Sequence, residues 1–217
     1  PSGVTGQELT ARAFTQAEKF GAQTLIARRA ARLLCDRHPY VVEIDGARIA
    51  ARTIIIASGA QYRGLSIENL TAFNGAGVYY IATQLEAQLC KGERAMIAGG
   101  GNSAGQAAVF LAQNGVDVIM VVRSGELAER MSRYLVRRIE DNPSIEVRTR
   151  CQIVALEGEK HLERVHCRDG ATGTLNVETV RHLFVMTGAV PATKWLDGCV
   201  VLDDQGFVKT GPDVSPE

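Results

Sequence analysis

Arg94-Ala95-Met96-Ile97-Ala98-Gly99-Gly100-Gly101-Asn102-Ser103-Ala104 reads as a short apolar strand running straight into a glycine-rich turn. A helix follows at once: Ala104, Ala107, Ala108 and Leu111 fall at i, i+3, i+4 and i+7, and Asn114-Gly115 closes it. Val116 to Val122 supplies a second strand, so the whole is one βαβ unit. Gly99, Gly101 and Ala104 stand at the fingerprint positions of GxGxxA. Gly99 permits the tight turn, Gly101 leaves room for a pyrophosphate at the helix N-terminus, and Ala104 lets helix and strand pack closely. This context predicts a dinucleotide held at Gly99, Gly100, Gly101, Asn102, Ser103 and Ala104.

The end of the second strand bears on which dinucleotide. A carboxylate there accepts from a ribose 2′-hydroxyl, whereas an arginine pairs with a 2′-phosphate. The chain has Val121-Val122-Arg123-Ser124, with no carboxylate before Glu126. Arg123 favours NADP(H), with NAD(H) as the alternative. Arg130 and Arg133, further on, read equally well as a solvated helix face.

Outward from this unit, a helix is expected over Glu129 to Glu140, ended by Asn142-Pro143, and then strands at Ile145–Arg148, Ile153–Leu156, Leu162–Cys167, Leu175–Val177 and Leu183–Met186. Towards the start, Thr5-Gly6-Gln7-Glu8 is a capping box for a helix of about 15 residues that puts Leu9, Ala13, Ala17 and Phe20 on one face before Gly21. Strands are expected at Thr24–Ala27, Tyr40–Ile44, Ala47–Ala50 and Thr53–Ala57, with Asp45-Gly46 as a hairpin turn. The low-periodicity segment Leu65 to Ala76 reads as a connection. The fold class is α/β, a Rossmann-like parallel sheet with a covering β-meander.

Ile54-Ile55-Ile56-Ala57-Ser58-Gly59-Ala60 and Leu183-Phe184-Val185-Met186-Thr187-Gly188-Ala189 echo each other. In each, an apolar run ends at a glycine that lets the backbone approach something closely. Two ordinary strand exits would give this pattern, and so would two nucleotide-binding domains built alike. On the second reading Ala57, Ser58, Gly59, Ala60 and Gly188 belong to cofactor sites.

Composition narrows the remaining classes. With 24 Lys+Arg against 24 Asp+Glu in 217 residues there is no basic stripe for nucleic acid, and no apolar run approaches a membrane span. The five cysteines are odd in number and contain no CxxC, which predicts free thiols in a reducing cytoplasm and no metal site. His161 and His166 flank Glu163 and read as an exposed strand edge. The chain opens on Pro1 without a targeting pattern, which suggests a fragment.

The runs TIIIASGAQYR, GVYYIAT, AMIAGGGNSAGQAAVFL, VIMVVRSGELAERMSRYL and FVMTGAVPATKWL, in this order, resemble the low-molecular-weight thioredoxin reductases, flavin-dependent pyridine nucleotide-disulfide oxidoreductases. The resemblance covers nearly the whole chain. It implies that residues 1–75 are part of an FAD-binding domain with a cofactor turn at Ala57 to Ala60, that 76–190 form an inserted NAD(P)-binding domain, and that 191–217 return to the first. It implies hydride transfer from NADPH to FAD, and a homodimer. The family's FAD fingerprint would precede Pro1, so FAD is expected only with the full-length parent.

Two departures limit the transfer. The family's redox cysteines, in YCATC, align with Tyr80-Ile81-Ala82-Thr83-Gln84, so Ile81 and Gln84 replace both sulfurs and no catalytic residue is assigned. Of the family's HRRxxxR motif for the 2′-phosphate only Arg123 remains, with Val122, Ser124 and Ala128 at the other positions. A thioredoxin-like or ferredoxin-like carrier and a small molecule are all compatible acceptors. A dinucleotide-binding redox sensor without turnover is the alternative function.

Overall fold

The computed structural model describes residues 6–214. Their contacts form two compact units: the described residues up to Ser58 together with those from Ala192 onward, and Gly59–Pro191.

The first unit opens with α1 (Gly6–Lys19) and continues with β1 (Ala30–Leu34), β2 (Tyr40–Ile44) and β3 (Ala47–Ala51), an antiparallel sheet in the order β1-β2-β3. Asp45 and Gly46, with φ of 48° and 82°, make the two-residue turn that pairs Ile44 with Ala47. Consecutive positive φ values match the right-handed twist of the joined strands, as the Asp-Gly signal predicts. After the intervening second unit the chain returns with a 3-10 turn at Lys194–Leu196 that packs on β1, burying Leu196 and Leu33.

Several expectations for this unit are corrected. Thr5 of the capping box lies outside the described residues. Thr24–Ala27 is not a strand, and Leu25 and Ile26 are exposed; Ala27 has φ 56°, which breaks an extended run. Thr53–Ala57 is neither buried nor paired, and Ile55 is 94% exposed. An apolar run becomes a strand only when a neighbour completes its hydrogen-bond ladder, and no described residue does so. Leu9 and Phe20, expected on one face of the first helix, are exposed, and Phe20 lies just past the end of α1. The strand β1 carried no periodic signal and was not anticipated. The expectation of free thiols fails for two cysteines: Cys35 and Cys199 form a disulfide with Cα atoms 5.8 Å apart, across a sequence separation of 164. Cys90, Cys151 and Cys167 are free and buried.

The second unit contains β4 (Ala60–Tyr62), β5 (Val78–Tyr79), α2 (Gln84–Leu89), β6 (Arg94–Ala98), α3 (Asn102–Gln113), β7 (Asp117–Val121), α4 (Arg133–Glu140), β8 (Ile145–Arg148), β9 (Cys151–Glu157), β10 (Arg164–Asp169), β11 (Leu175–Thr179), β12 (His182–Val185) and β13 (Ala189–Pro191). Five strands form a parallel sheet in the order β5-β12-β6-β7-β8, and β9, β10 and β11 form the antiparallel meander. A short antiparallel pair, β4 with β13, joins the two ends of the unit. The helix expected over Glu129–Glu140 is split into a 3-10 turn at Leu127–Glu129 and α4, which begins at Arg133.

Burial on both faces explains why the parallel strands read as continuous apolar runs. Ala95, Ile97, Val118, Met120 and Phe184 point to the face covered by α3 and α4. Met96, Ala98, Ile119, Val121, Leu183 and Val185 point to the other, where Ile153, Val165 and Cys167 of the meander cover them. Residues 59–75 pack with this unit, through the buried Leu70 and Phe73. Each such large side chain contributes about 1.5–3 kcal/mol when removed from water. Two packed layers thus hold the C-terminal ends of β6, β7 and β12 at fixed positions. No described helix is long and apolar enough to cross a membrane.

Candidate functional site

At the end of β6 the backbone of Gly99 takes φ 149° and donates its N–H to the Val121 carbonyl at 3.0 Å. A Cβ on Gly99 would lie 2.3 Å from the Met186 carbonyl oxygen, and one on Gly100 would lie 2.7 Å from Val122 Cγ1. Both glycines are therefore required by the fold itself. Gly101 differs. It is the N-cap of α3 with φ −94° and ψ 178°, a conformation open to any residue, and a Cβ there would meet nothing within 4 Å. No protein atom explains this third glycine, and the space beside it lies at a helix N-terminus, where unpaired N–H groups and the helix dipole favour an anion.

The other predicted residues divide by role. Ala104 is fully buried, with its Cβ only 3.2 Å from where a Cβ on Gly99 would be, so a larger residue would push helix and strand apart. Asn102 accepts the Ser132 N–H at 2.8 Å through Oδ1, which ties the start of α4 to the start of α3. Ser103 is exposed at the first turn of α3. Gly188, with φ 102°, accepts the Arg63 N–H at 2.9 Å. Ala57, Ser58, Gly59 and Ala60 are all exposed; Gly59 has φ 65° and Ala60 opens β4.

A cleft of about 300 Å³ opens at the C-terminal ends of β6 and β7, the side of an α/β sheet where ligands bind. Gly99, Gly100 and Arg123 line it together with Arg63, Gln152 and Thr187. Arg63 was not singled out from the sequence. It enters because Thr187 Oγ1 donates to the Arg63 carbonyl at 2.8 Å and Gly188 holds its N–H, so the loop after β4 is fastened beside the loop after β12. Only membership of the TIIIASGAQYR run could have pointed to it. Among the described residues no carboxylate lies within 4 Å of Arg63 or Arg123, whereas Arg148 is held by Glu146 and Glu178 at 2.6 Å each. Two exposed guanidinium groups lining one cleft have the geometry and charge to pair with an anion that carries more than one charged oxygen.

The segment aligned with the family's dithiol is occupied by a helix start. Thr83 is the N-cap of α2: its hydroxyl accepts from Leu85 N–H at 3.3 Å, and its own N–H donates to Glu86 Oε2 at 2.8 Å. Gln84 Nε2 donates to Asn114 Oδ1 at 3.2 Å, and Ile81 is exposed. Cys90, the nearest sulfur in sequence, caps the other end of α2 and is fully buried; burial first, then Glu93 and Glu86, push its thiol up to about 12. It is a neutral packing residue rather than a nucleophile. His161 and His166 do not converge: His166 Nε2 lies 3.1 Å from Glu157 Oε2, and His161 is exposed. The described residues contain no group of His, Cys, Asp or Glu able to hold a metal ion.

The family model for pyridine nucleotide-disulphide oxidoreductases matches residues 2–214. A thioredoxin reductase of Streptomyces coelicolor is 30% identical over 207 residues, covering 95% of this chain and 63% of that protein. One of Eremothecium gossypii is 31% identical over 218 residues, 98% of this chain and 67% of the relative. Among solved structures, the thioredoxin reductase of Giardia duodenalis superposes with a TM-score of 0.77 at 23% identity, over 98% of this chain and 70% of that one. That of T. acidophilum gives 0.73 at 22%, over 94% and 66%. Both likenesses concern the fold.

Proposed function

The chain belongs to the pyridine nucleotide-disulphide oxidoreductase family, and from that premise we propose that Gly59–Pro191 binds NADPH for a flavin-dependent oxidoreductase of thioredoxin-reductase type. The chain spans about 63% of the Streptomyces relative, and the activity is proposed for the whole protein. The observation that carries the reading is Gly101: the only fingerprint glycine without a protein-internal reason faces open space at the helix N-terminus.

The residues present fit a phosphorylated dinucleotide. Backbone N–H groups at Gly101 to Ser103 would take the pyrophosphate, and Arg123 the 2′-phosphate. Arg63, fastened by Thr187 and Gly188, would add a second positive charge along the same cleft. The nicotinamide, when bound, supplies hydride chemistry, and the protein orients and desolvates it. For FAD the fit is poorer: among the described residues Ile54 to Gly59 offers an unpaired, largely exposed run and no phosphate cradle, so the flavin follows from family membership alone.

The acceptor is a thioredoxin-like or ferredoxin-like carrier or a small molecule, reached without a dithiol at Ile81 and Gln84, since neither side chain carries sulfur. The test is titration of the chain with NADPH and NADH by calorimetry, followed by flavin reduction in the full-length enzyme. Micromolar NADPH binding with weaker NADH binding supports the reading. No binding of either refutes it, and binding without flavin reduction favours a redox-sensing module.

A further inference from the structure

The disulfide lies in the first unit, whereas the residues that line the cleft proposed for NADPH all belong to the second. Cys35 follows β1 and Cys199 follows the Lys194–Leu196 turn, so the bond joins the two chain segments of the first unit, which are separated in sequence by the whole of Gly59–Pro191. It is the only covalent tie between those segments other than the long path through the second unit. Cys35 and Cys199 are half-buried, in contrast to the other three cysteines, all buried. Leu34 and Asp36, the neighbours of Cys35, line a groove of about 390 Å³. The surroundings also accommodate the reduced state. Cys35 Sγ lies 3.8 Å from the Gly198 carbonyl and Cys199 Sγ lies 3.4 Å from that of Leu33, so each thiol would find an acceptor where it stands. Packing of β1 against the 3-10 turn would keep the two thiols apposed for reclosure.

We propose that Cys35–Cys199 is a reversible thiol–disulfide exchange site through which an external dithiol sets how firmly the two segments of the first unit are held together. The inference is independent of the nucleotide reading. A thiolate of the dithiol attacks one of the two sulfurs. The S–S bond breaks, and the other sulfur leaves with the electron pair and takes a proton. The donor's second thiol then attacks the mixed disulfide and releases the second cysteine, so two electrons and two protons reach Cys35 and Cys199 while the donor becomes its own disulfide. The bond closes a long loop, and a long loop recovers much chain entropy when opened, so reduction should loosen the unit substantially.

The test uses the full chain. Native alkylation of untreated protein, mapped by mass spectrometry, should label none of the five cysteines. After dithiothreitol and desalting it should label Cys35 and Cys199 only, and oxidised glutathione should abolish that labelling. Reduction should lower the thermal midpoint of the wild type by about 5–15 °C and speed proteolysis within Gly6–Ser58, with no effect of reductant on Cys199→Ser. Labelling of Cys35 and Cys199 before reduction would overturn the proposal. So would failure of dithiothreitol to open the bond below the unfolding temperature, or a wild-type melt that ignores reduction. These readouts do not depend on whether the serine variant folds.

Discussion

Replacing Gly101 by alanine separates what the ligand demands from what the fold demands. In the protein the added Cβ meets nothing within 4 Å, and φ −94° with ψ 178° suits alanine. Loss of a glycine N-cap costs about 1 kcal/mol, and the lower entropy of the unfolded chain returns up to about 1 kcal/mol. The thermal midpoint of Gly101→Ala should stay within about 3 °C of wild type. Dinucleotide binding should not survive so well. The methyl group would stand where a phosphate must approach the N–H groups of α3, and each charge-assisted hydrogen bond lost costs about 1.5–3 kcal/mol, roughly a 10- to 150-fold rise in Kd. Gly99→Ala is the opposite case: its Cβ would lie 2.3 Å from a carbonyl oxygen at φ 149°, so it should lose about 2–4 kcal/mol of stability before any ligand is added. Calorimetric titration with NADPH beside a melting curve for each variant reads both effects. A folded Gly101→Ala that binds NADPH as the wild type does would remove the central support for a pyrophosphate at this turn.

Three further outcomes are expected. Arg123→Ala should weaken NADPH binding by about 1–3 kcal/mol and spare NADH, with Arg63→Ala weakening both; equal losses for the two cofactors in Arg123→Ala would refute a 2′-phosphate at that residue. Cys90→Ser should leave any turnover of the full-length enzyme unchanged, because the Cys90 thiol, buried and pushed up to about 12, is neutral at working pH; a collapse in turnover with the fold intact would make it catalytic. His182 is the pH-sensitive position: burial holds it below its ordinary value of 6.5, against the pull of Glu93 and with a smaller push from Arg181. Its contribution to stability is complete above that value and is lost as pH falls, since the unfolded chain takes up the proton first. Urea midpoints between pH 7.5 and 5 should fall more steeply for the wild type than for His182→Gln, and parallel slopes would contradict this.

The parallel-sheet half was legible in the sequence because its determinants are local. A strand, a glycine turn and a helix between Arg94 and Gln113 each announce themselves within a few residues, and burial on both faces of the sheet makes strands such as Val118 to Val121 uniformly apolar. The missing dithiol at Ile81 and Gln84 was equally plain, since a residue without sulfur needs no coordinates to exclude it. Local pattern failed where the outcome depends on a distant partner. Ile54 to Ala57 has the composition of a buried strand, yet it is unpaired and Ile55 to Ala57 lie exposed, because β propensity becomes β structure only when another strand closes the ladder. Arg63 joins Arg123 in one cleft through bonds to Thr187 and Gly188, residues far along the chain, and no spacing rule anticipates that meeting. The pairing of Cys35 with Cys199 is the extreme case. Counting cysteines gives their number and spacing, but which two approach to 5.8 Å is settled only when β1 and the Lys194–Leu196 turn pack together, a contact between segments that the sequence holds 164 residues apart.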